Sequence, residues 1–334
     1  MNKPALSFLS LLLLSAALWF AGTLLLPKSP IQHPRLSIAI SATPLSSPFI
    51  LASQLGYFKQ HGLEVEIKTL LGGVRCFEAL VNEEVDLATS SESVVMYNAF
   101  TRDDFSIIAT FVTSDNDVKL ITRRGNGIKN FDDIRQRRAG VVQKSASEYF
   151  LETAMVLHGI ERNAYKIDYL QPETIGDALK SGRVDLISVW EPFAHQIRRQ
   201  LGEDAIVLPT RGLYRLSFNL LARRDELPIK RDLHIKLLKA LDDAVDFAIR
   251  EPERAKAIVA DALHVPRDEI DAFWPDYHFH LTLDKTLQLD LLTQAKWAIG
   301  SGYVNQPEPP DFESFIDETA LNRADREINA EEKP

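Results

Sequence analysis

The spacing of apolar and polar residues along the chain predicts repeated strand–helix units. A largely apolar run at Leu36–Ile40 predicts a first strand, and the alternation of apolar and charged residues at Leu63–Leu70 predicts a second. Between them, Pro48–Phe58 has apolar residues at helical spacing and a proline in its first turn. This order of short strands and helices continues to about residue 212, which is typical of α/β sheets with helices on both faces.

One strand–helix unit occurs twice in the chain. Residues 79–92 align without a gap to residues 178–191, and Ala, Leu, Val-Asp-Leu and a final Glu coincide. Two copies suggest two similar lobes, each with a helix N-terminus at the carboxyl end of a strand, where ligands bind in open α/β sheets. A repeat used for packing alone is the alternative, although packing requires neither Trp190 nor Glu191 at the end of the second copy.

The strand–helix pattern restarts near Ile128, which predicts that the chain enters a second lobe and later returns to the first. Two crossings, near residues 118–124 and 213–222, imply a two-strand hinge that permits closure around a ligand. The predicted division is residues 1–30 as membrane segment and linker, 31–122 as the first part of lobe 1, 123–213 as lobe 2, 214–320 as the returning part of lobe 1 with the C-terminal helices, and 321–334 as a loose, charged tail.

The N-terminal segment predicts export from the cytoplasm. Lys3 precedes an uncharged apolar run from Ala5 to Leu26, which is long enough to span a bilayer as a helix. We expect residues 1–26 to direct export, and an uncleaved membrane anchor is favoured over a cleaved signal peptide because apolar residues continue past the small-residue sites. No cysteine follows the run, which excludes a lipid-anchored form.

Composition excludes several classes of function. The 334 residues suit two lobes, and contents of 45% hydrophobic and 25% charged residues are those of an ordinary globular protein. A net charge of −9 argues against nucleic acid as a partner, because phosphate binding needs clustered Lys and Arg. Cys76 is the only cysteine of the sequence, so an intramolecular disulfide and a cysteine-based metal site are excluded.

The sequence lacks the common signatures of enzymes. It contains no G-x-S-x-G elbow, no H-E-x-x-H and no glycine-rich phosphate loop. His278 and His280 lie on one side of an extended segment without an apparent third ligand, so we expect no metal and no cofactor. A lone cysteine on a helix, as predicted for Cys76, is more often a packing residue than a nucleophile.

Candidate ligand-binding residues lie at the strand-to-helix turns. Gly72-Gly73 lets the backbone approach a ligand, although a plain tight turn explains the pair equally well. Ser90-Ser91-Glu92 and Ser145-Ala146-Ser147 place hydroxyls at helix starts, where N-capping is the alternative role. Trp190 offers a flat face and Glu191 an acceptor; their alternatives are packing between lobes and a charge at a helix N-terminus. The full candidate set is Thr43, Pro44, Gly72, Gly73, Ser90, Ser91, Glu92, Ser145, Ser147, Trp190 and Glu191.

Motifs of one known family occur in both predicted lobes. The first lobe contains Gln54–Glu66, Gly72-Gly73 and Val85–Ala88. The second contains Ala139–Val142 followed by Ser145, and Val184–Leu186 leading into Trp190-Glu191-Pro192-Phe193. Over roughly residues 36–310 the chain resembles the periplasmic solute-binding proteins of ABC importers, in particular the group for nitrate, sulfonates, taurine and thiamine precursors.

This resemblance implies an α/β, type II periplasmic binding protein fold: two α/β lobes joined by a two-strand hinge, here with an N-terminal membrane helix. It implies a monomeric, non-enzymatic receptor outside the cytoplasm that captures a small organic anion, similar to a sulfonate, to taurine or to nitrate in its head group, and delivers it to an ABC permease. It also implies that the ligand contacts include Thr43, Pro44, Gly73, Ser91-Glu92, Ser145 and Trp190-Glu191.

Three alternatives remain open at the level of sequence. An aminated heterocycle, such as a thiamine-precursor pyrimidine, is the alternative ligand, because two Glu at the cleft favour a molecule rich in donors. An enzyme on the same scaffold would depend on His61 or Cys76, although a pyrimidine-synthesising relative uses a Cys-rich motif that this chain lacks. An anchored sensor would pass closure of the lobes to a partner protein instead of a transporter.

Overall fold

The structure, a computed structural model, describes residues 33–331, which form two β-sheets covered by helices. The chain begins with β1 (Arg35–Ser41), α1 (Ser47–Gln54), α2 (Tyr57–Gln60), β2 (Glu64–Leu70), α3 (Gly73–Val81), β3 (Leu87–Ser91), α4 (Glu92–Ala99) and β4 (Phe105–Ser114). It continues through β5 (Val118–Arg123), β6 (Arg138–Val141), α5 (Ala146–Leu157), β7 (Lys166–Tyr169), α6 (Ile175–Ser181), β8 (Leu186–Trp190), α7 (Phe193–Leu201) and β9 (Ala205–Val207). The last part contains β10 (Leu216–Arg223), α8 (Arg231–Arg250), α9 (Pro252–Leu263), α10 (Arg267–Phe273), β11 (His278–Thr282), α11 (Lys285–Gly300) and α12 (Thr319–Glu331).

Each sheet forms the centre of one lobe. The first has the strand order β11-β4-β10-β3-β1-β2, and the second has the order β7-β6-β8-β5-β9. β1 is parallel to β2 and β3, and β6 is parallel to β7 and β8, as the strand–helix rhythm predicts. The strands that enter a lobe after a crossing, β5 and β10, instead run antiparallel to the strands beside them. Both sheets are therefore mixed.

The chain crosses between the lobes at residues 115–117 and again at residues 208–215. The two crossings are in contact, because the Gly212 amide donates a hydrogen bond of 3.1 Å to the Asp115 carbonyl. Both predicted crossings lie too late in the chain. The second was predicted near residues 213–222, but residues 216–222 already pair within the first sheet. The first was predicted near residues 118–124, with a boundary at residue 122, and that segment begins inside the second sheet. Val118 is already paired with Trp190 in the second sheet, so all of β5 belongs to lobe 2.

The C-terminal residues differ from their prediction as a loose tail from residue 321. They form α12, whose apolar face packs against the core: Leu321 is 4% exposed and Ala324 is 1% exposed. Charged residues on the other face pair along the helix, as Arg323 does with Glu327 at 3.0 Å. The prediction of a loose tail was wrong for residues 321–331. The many charged residues of this segment obscured the row of apolar residues along one face of its helix. The remaining domain boundaries stay a prediction.

No helix within residues 33–331 is long and apolar enough to cross a membrane. The predicted export segment, residues 1–26, lies outside the described residues.

Three aromatic rings support the part of lobe 1 that faces the second lobe. Phe111 of β4 packs edge-on against Phe49 of α1 and Phe218 of β10, at centroid distances of 4.9 and 5.8 Å. Such pairs contribute about 0.5–1.5 kcal/mol each beyond the burial of their area. They fix α1 and β10 against β4, and with them the turns at the strand ends.

Gly73 lets α3 begin in direct contact with the end of β3. A Cβ atom at this position would lie 2.8 Å from Ser90 Oγ and 3.0 Å from Ser90 Cα, which is closer than real Cβ contacts. The Ser90 hydroxyl donates to the Gly73 carbonyl at 2.9 Å, so the two turns are also tied by a hydrogen bond. Only glycine fits at this position without moving the start of α3 away from the end of β3.

The Gly73→Ala variant tests this close approach. We expect its free energy of unfolding to fall by about 1–3 kcal/mol, because the added methyl group overpacks a site closed by backbone atoms. Gly125→Ala is the matched control, since a Cβ atom there meets nothing within 4 Å. Urea unfolding of both variants measures the difference, and equal stabilities would contradict the contact.

Candidate functional site

A cavity lies between the lobes, where strands of both sheets end and helices begin. Protein atoms leave about 350 Å³ unfilled along it, a volume that includes space open to solvent. Both lobes and, through Asp117, the first crossing contribute to its wall. The lining residues are Ser41, Thr43, Leu45, Gly73, Val74, Ser91, Val94, Asp117, Ser145, Ala146, Trp190, Leu216 and Phe218.

Five of the eleven candidate residues line this cavity: Thr43, Gly73, Ser91, Ser145 and Trp190. They come from four separate strand-to-helix turns, three in lobe 1 and one in lobe 2, together with the end of β8. The sequence repeat and the glycine pair therefore identified turns that the fold brings to one place. Ser145 also caps α5, because its hydroxyl accepts from the Ser147 amide at 3.2 Å.

Three further candidates lie directly beside the wall. Pro44 is buried next to Thr43 in the turn after β1. Ser90 lies behind Gly73 and bonds to its carbonyl. Gly72 has a φ of +85°, a conformation suited to glycine, and is covered by an indole ring from the other lobe.

That indole belongs to Trp190, which closes one side of the cavity. A Cβ atom on Gly72 would lie 3.0 Å from Trp190 Cζ2, so the ring of lobe 2 packs against the glycine turn of lobe 1. Trp190 is only 7% exposed, and its ring also meets Phe193 edge-on at 6.2 Å. Trp190 thus packs between the lobes, which was the alternative role for it, and it also lines the cavity; its contact with a ligand stays a prediction.

Four polar side-chain atoms of the lining residues are buried without a hydrogen-bond partner among the described residues. They are Ser41 Oγ, Thr43 Oγ1, Asp117 Oδ2 and Trp190 Nε1. Buried polar atoms in folded proteins are nearly always paired, and leaving one unpaired costs about 1–3 kcal/mol. Three of the four can donate a hydrogen bond and one belongs to a carboxyl group, so the wall offers both donors and an acceptor to a small molecule.

Asp117 is a site residue that the sequence analysis missed. It lies in the first crossing and is 1% exposed, and its Oδ1 atom accepts from the Tyr277 hydroxyl at 2.8 Å. Burial raises the pKa of Asp117 to about 7, and Glu191 adds to the rise, whereas Tyr277 and Lys119 oppose it. The one available signal was the Asp-Asn-Asp sequence at residues 115–117, between two predicted strands.

The Glu92 carboxylate does not line the cavity, because protein donors surround it. It accepts from the Ser217 amide at 2.8 Å, from Gln294 Nε2 at 3.0 Å and from the Tyr214 hydroxyl. Burial raises its pKa to about 7, while these hydrogen bonds act in the opposite direction. Glu92 thereby connects α4 to the second crossing, to β10 and to α11.

Ser147 and Glu191 are likewise occupied by protein atoms. The Ser147 hydroxyl donates to the Ser188 carbonyl at 2.7 Å and accepts from the Val142 amide at 3.1 Å. The Glu191 carboxylate accepts from the His195 amide at 2.7 Å and pairs with Arg198 at 3.3 Å. Glu191 therefore has the helix-terminal role that was the alternative for it, and neither residue lines the cavity.

Positive charge lies outside the cavity wall. Within the described residues, the lining set contains no Lys and no Arg. Arg75 and Lys144 line an adjoining groove at the edge of the interlobe boundary, and Arg75 there pairs with Glu173 of the other lobe at 2.7 Å. An anion in the cavity would accordingly be held by hydroxyl, indole and backbone N–H groups. Residues 33–331 also contain no group of His, Cys, Asp and Glu that could hold a metal ion.

Comparisons with known proteins agree with this architecture. The chain is 24% identical over 238 residues to a putative aliphatic sulfonates-binding protein of Bacillus subtilis (strain 168), covering 69% of this chain and 71% of that protein. The alkanesulfonate-binding protein SsuA from Xanthomonas axonopodis pv. citri, solved with bound MOPS, is 15% identical with a TM-score of 0.75 over 87% of this chain and 99% of that one.

The periplasmic nitrate-binding protein NrtA from Synechocystis PCC 6803 is 14% identical with a TM-score of 0.71, covering 90% of this chain and 91% of that chain. These likenesses confirm the predicted two-lobed periplasmic binding protein fold. The family model described as NMT1/THI5 like matches residues 43–255, which is more than half of the chain. The protein therefore belongs to the NMT1/THI5-like family.

Proposed function

We propose that the protein is a monomeric solute receptor outside the cytoplasm that holds a small organic molecule between its lobes and delivers it to an ABC permease. The observation that carries this proposal is the set of four unpaired buried polar atoms on one interlobe wall. A bound solute would pair these atoms and remove the free-energy cost of leaving them unpaired. The relatives named as sulfonate- and nitrate-binding proteins support the same class of function.

The ligand contacts that we propose are Ser41, Thr43, Gly73, Ser91, Asp117, Ser145 and Trp190, which all line the cavity. The hydroxyls of Ser41 and Thr43 and the indole N–H of Trp190 would donate to oxygen atoms of an acidic head group, such as a sulfonate. Leu45, Val94 and Phe218 would cover the apolar part of the solute. Glu92, Ser147 and Glu191 act through the protein framework.

Binding would favour the closed arrangement of the two lobes. Contacts across the boundary are already present beside the cavity, as between Arg75 and Glu173 at 2.7 Å and between the Tyr303 hydroxyl and Glu148 at 3.1 Å. A solute that pairs with atoms of both lobes would bind the closed state more tightly than the open state. This difference in affinity would shift the equilibrium towards the closed state. The permease would then recognise the closed form.

A catalytic function has less support than a receptor function, because Cys76 and His61, on which catalysis would depend, are poorly placed for it. Cys76 is fully buried in α3, and burial raises its pKa to about 12, so its thiol stays protonated at neutral pH. His61 is bound to Asp243 at 2.7 Å, and neither residue lines the interlobe cavity. We therefore propose a receptor without turnover.

A thermal-shift screen of the purified protein tests the proposed function. The panel contains alkanesulfonates, taurine, nitrate, pyrimidines and amino acids. A solute at 100 times its Kd should stabilise the protein by ~2.7 kcal/mol, which is a readily measured rise in Tm. A panel in which no solute raises Tm would contradict the receptor.

Replacement of Trp190 tests whether the cavity is where the solute binds. We expect Trp190→Ala to weaken binding at least tenfold, or about 1.4 kcal/mol, because both the indole N–H and the apolar ring are lost. Cys76→Ala is the control, since Cys76 is also buried but does not line the cavity. Calorimetric titration with a solute from the screen measures both Kd values, and equal effects of the two variants would exclude this cavity as the binding site.

Replacement of Glu92 separates framework residues from ligand contacts. We expect Glu92→Ala to lower the free energy of unfolding by about 2–4 kcal/mol, because the donors of Tyr214, Ser217 and Gln294 lose their acceptor. The Kd for the solute should stay within threefold of the wild-type value. Glu66→Ala, at an exposed position, is the control for stability. A folded Glu92→Ala protein with strongly weakened binding would return Glu92 to the ligand contacts.

A further inference from the structure

We infer that Asp117 makes the site selective for solutes that carry an amino group, whose N–H donates to Asp117 Oδ2. This inference rests on the proposed function and narrows the class of solute. The inferred site differs from a site for simple oxyanions, because an unpaired carboxylate on the cavity wall would repel such anions.

The geometry fixes one carboxylate oxygen and leaves the other free. Tyr277 donates to Oδ1 at 2.8 Å, which orients the carboxyl plane, while Oδ2 has no partner among the described residues. Asp117 is 1% exposed and lines the cavity, so water competes poorly for this oxygen. A buried carboxylate in this state needs a donor, and the cavity is the space from which a ligand can supply one.

The charged side chains around Asp117 are paired with other groups of the protein. Glu191 pairs with Arg198 at 3.3 Å, and Asp276 pairs with Arg211 at 2.5 Å. Lys119 is the remaining cation that faces this group, but its ammonium donates to the Asn116 carbonyl. The protein therefore orients Asp117 and partly balances its charge without bonding to Oδ2.

The other unpaired atoms on the wall are complementary to this acceptor. The hydroxyls of Ser41 and Thr43 and the Trp190 N–H can all donate to a ligand. A solute that fits the wall thus has acceptor atoms in one part and an amino group in another. An aminosulfonate and an aminated heterocycle both have this chemistry, and they share the N–H donor that Asp117 would recognise.

Two pairs of solutes isolate the amino group in the wild-type protein. Taurine and ethanesulfonate differ only in the amine, and 4-aminopyrimidine and pyrimidine differ only in the amino substituent. The measurements are made at pH 8, which is above the raised pKa of Asp117. In whichever pair binds, we expect the aminated solute to bind at least tenfold more tightly than the solute without the amine. The pair that responds distinguishes an aminosulfonate from a heterocycle, and this comparison needs no variant.

Asp117→Asn tests the carboxylate itself with little change of shape. The variant keeps an oxygen for Tyr277 but would present an amide N–H₂ to the solute, so we expect affinity for the aminated solute to fall at least tenfold. Asp115→Asn removes the same charge two residues away at an exposed position and should bind like the wild type. Affinity that is unchanged in Asp117→Asn, or raised for ethanesulfonate over taurine in the wild type, would overturn the inference.

The outcomes separate this inference from the proposed function. Equal binding of aminated and amine-free solutes would refute the role of Asp117 and leave the receptor in place. If none of the four solutes, and no other member of the screening panel, raises Tm, the proposed function and this inference fail together.

Discussion

The insertion of β10 between β3 and β4 is the constraint on which the rest of the structure depends. Residues 216–223 pair antiparallel with both neighbours, and seven of the eight are buried. The chain reaches this central place after it has left lobe 1, formed the second sheet and returned. The two crossings must then lie side by side, and the hydrogen bond from Gly212 to Asp115 joins them.

This return also places part of the cavity wall. Leu216 and Phe218 of β10 form part of the lining, and the Ser217 amide holds the Glu92 carboxylate at 2.8 Å. Glu92 is the first residue of α4 and follows Ser91, which lines the cavity. The side chain that seemed suited to a ligand is therefore held in the protein framework by donors more than 120 residues away in sequence.

Local sequence patterns were sufficient to predict the turns but not the partners of their side chains. The repeat at residues 79–92 and 178–191 located the ends of β3 and β8, and Gly72-Gly73 located the start of α3, because these features depend on nearby residues. Asp117 was missed because its position depends on a crossing, and its orientation on Tyr277, 160 residues later. From the sequence, Glu191 resembled an acidic residue that faces the cleft. In the structure its carboxylate is paired with Arg198 and lies at the start of α7.

In the receptor that we propose, the balance between open and closed lobes would follow from the sizes of these interactions. The exposed pair of Arg75 and Glu173 contributes between 0 and about 1 kcal/mol, because water and salt screen it. Each unpaired buried atom on the cavity wall costs about 1–3 kcal/mol in the closed state and can be hydrated in the open state. In the receptor that we propose, the cost of leaving these atoms unpaired would oppose the interlobe contacts, and a solute that pairs the atoms would remove that cost. Since Asp117 lies in the crossing itself, the pairing with a ligand that we infer would act at the point about which the lobes would move.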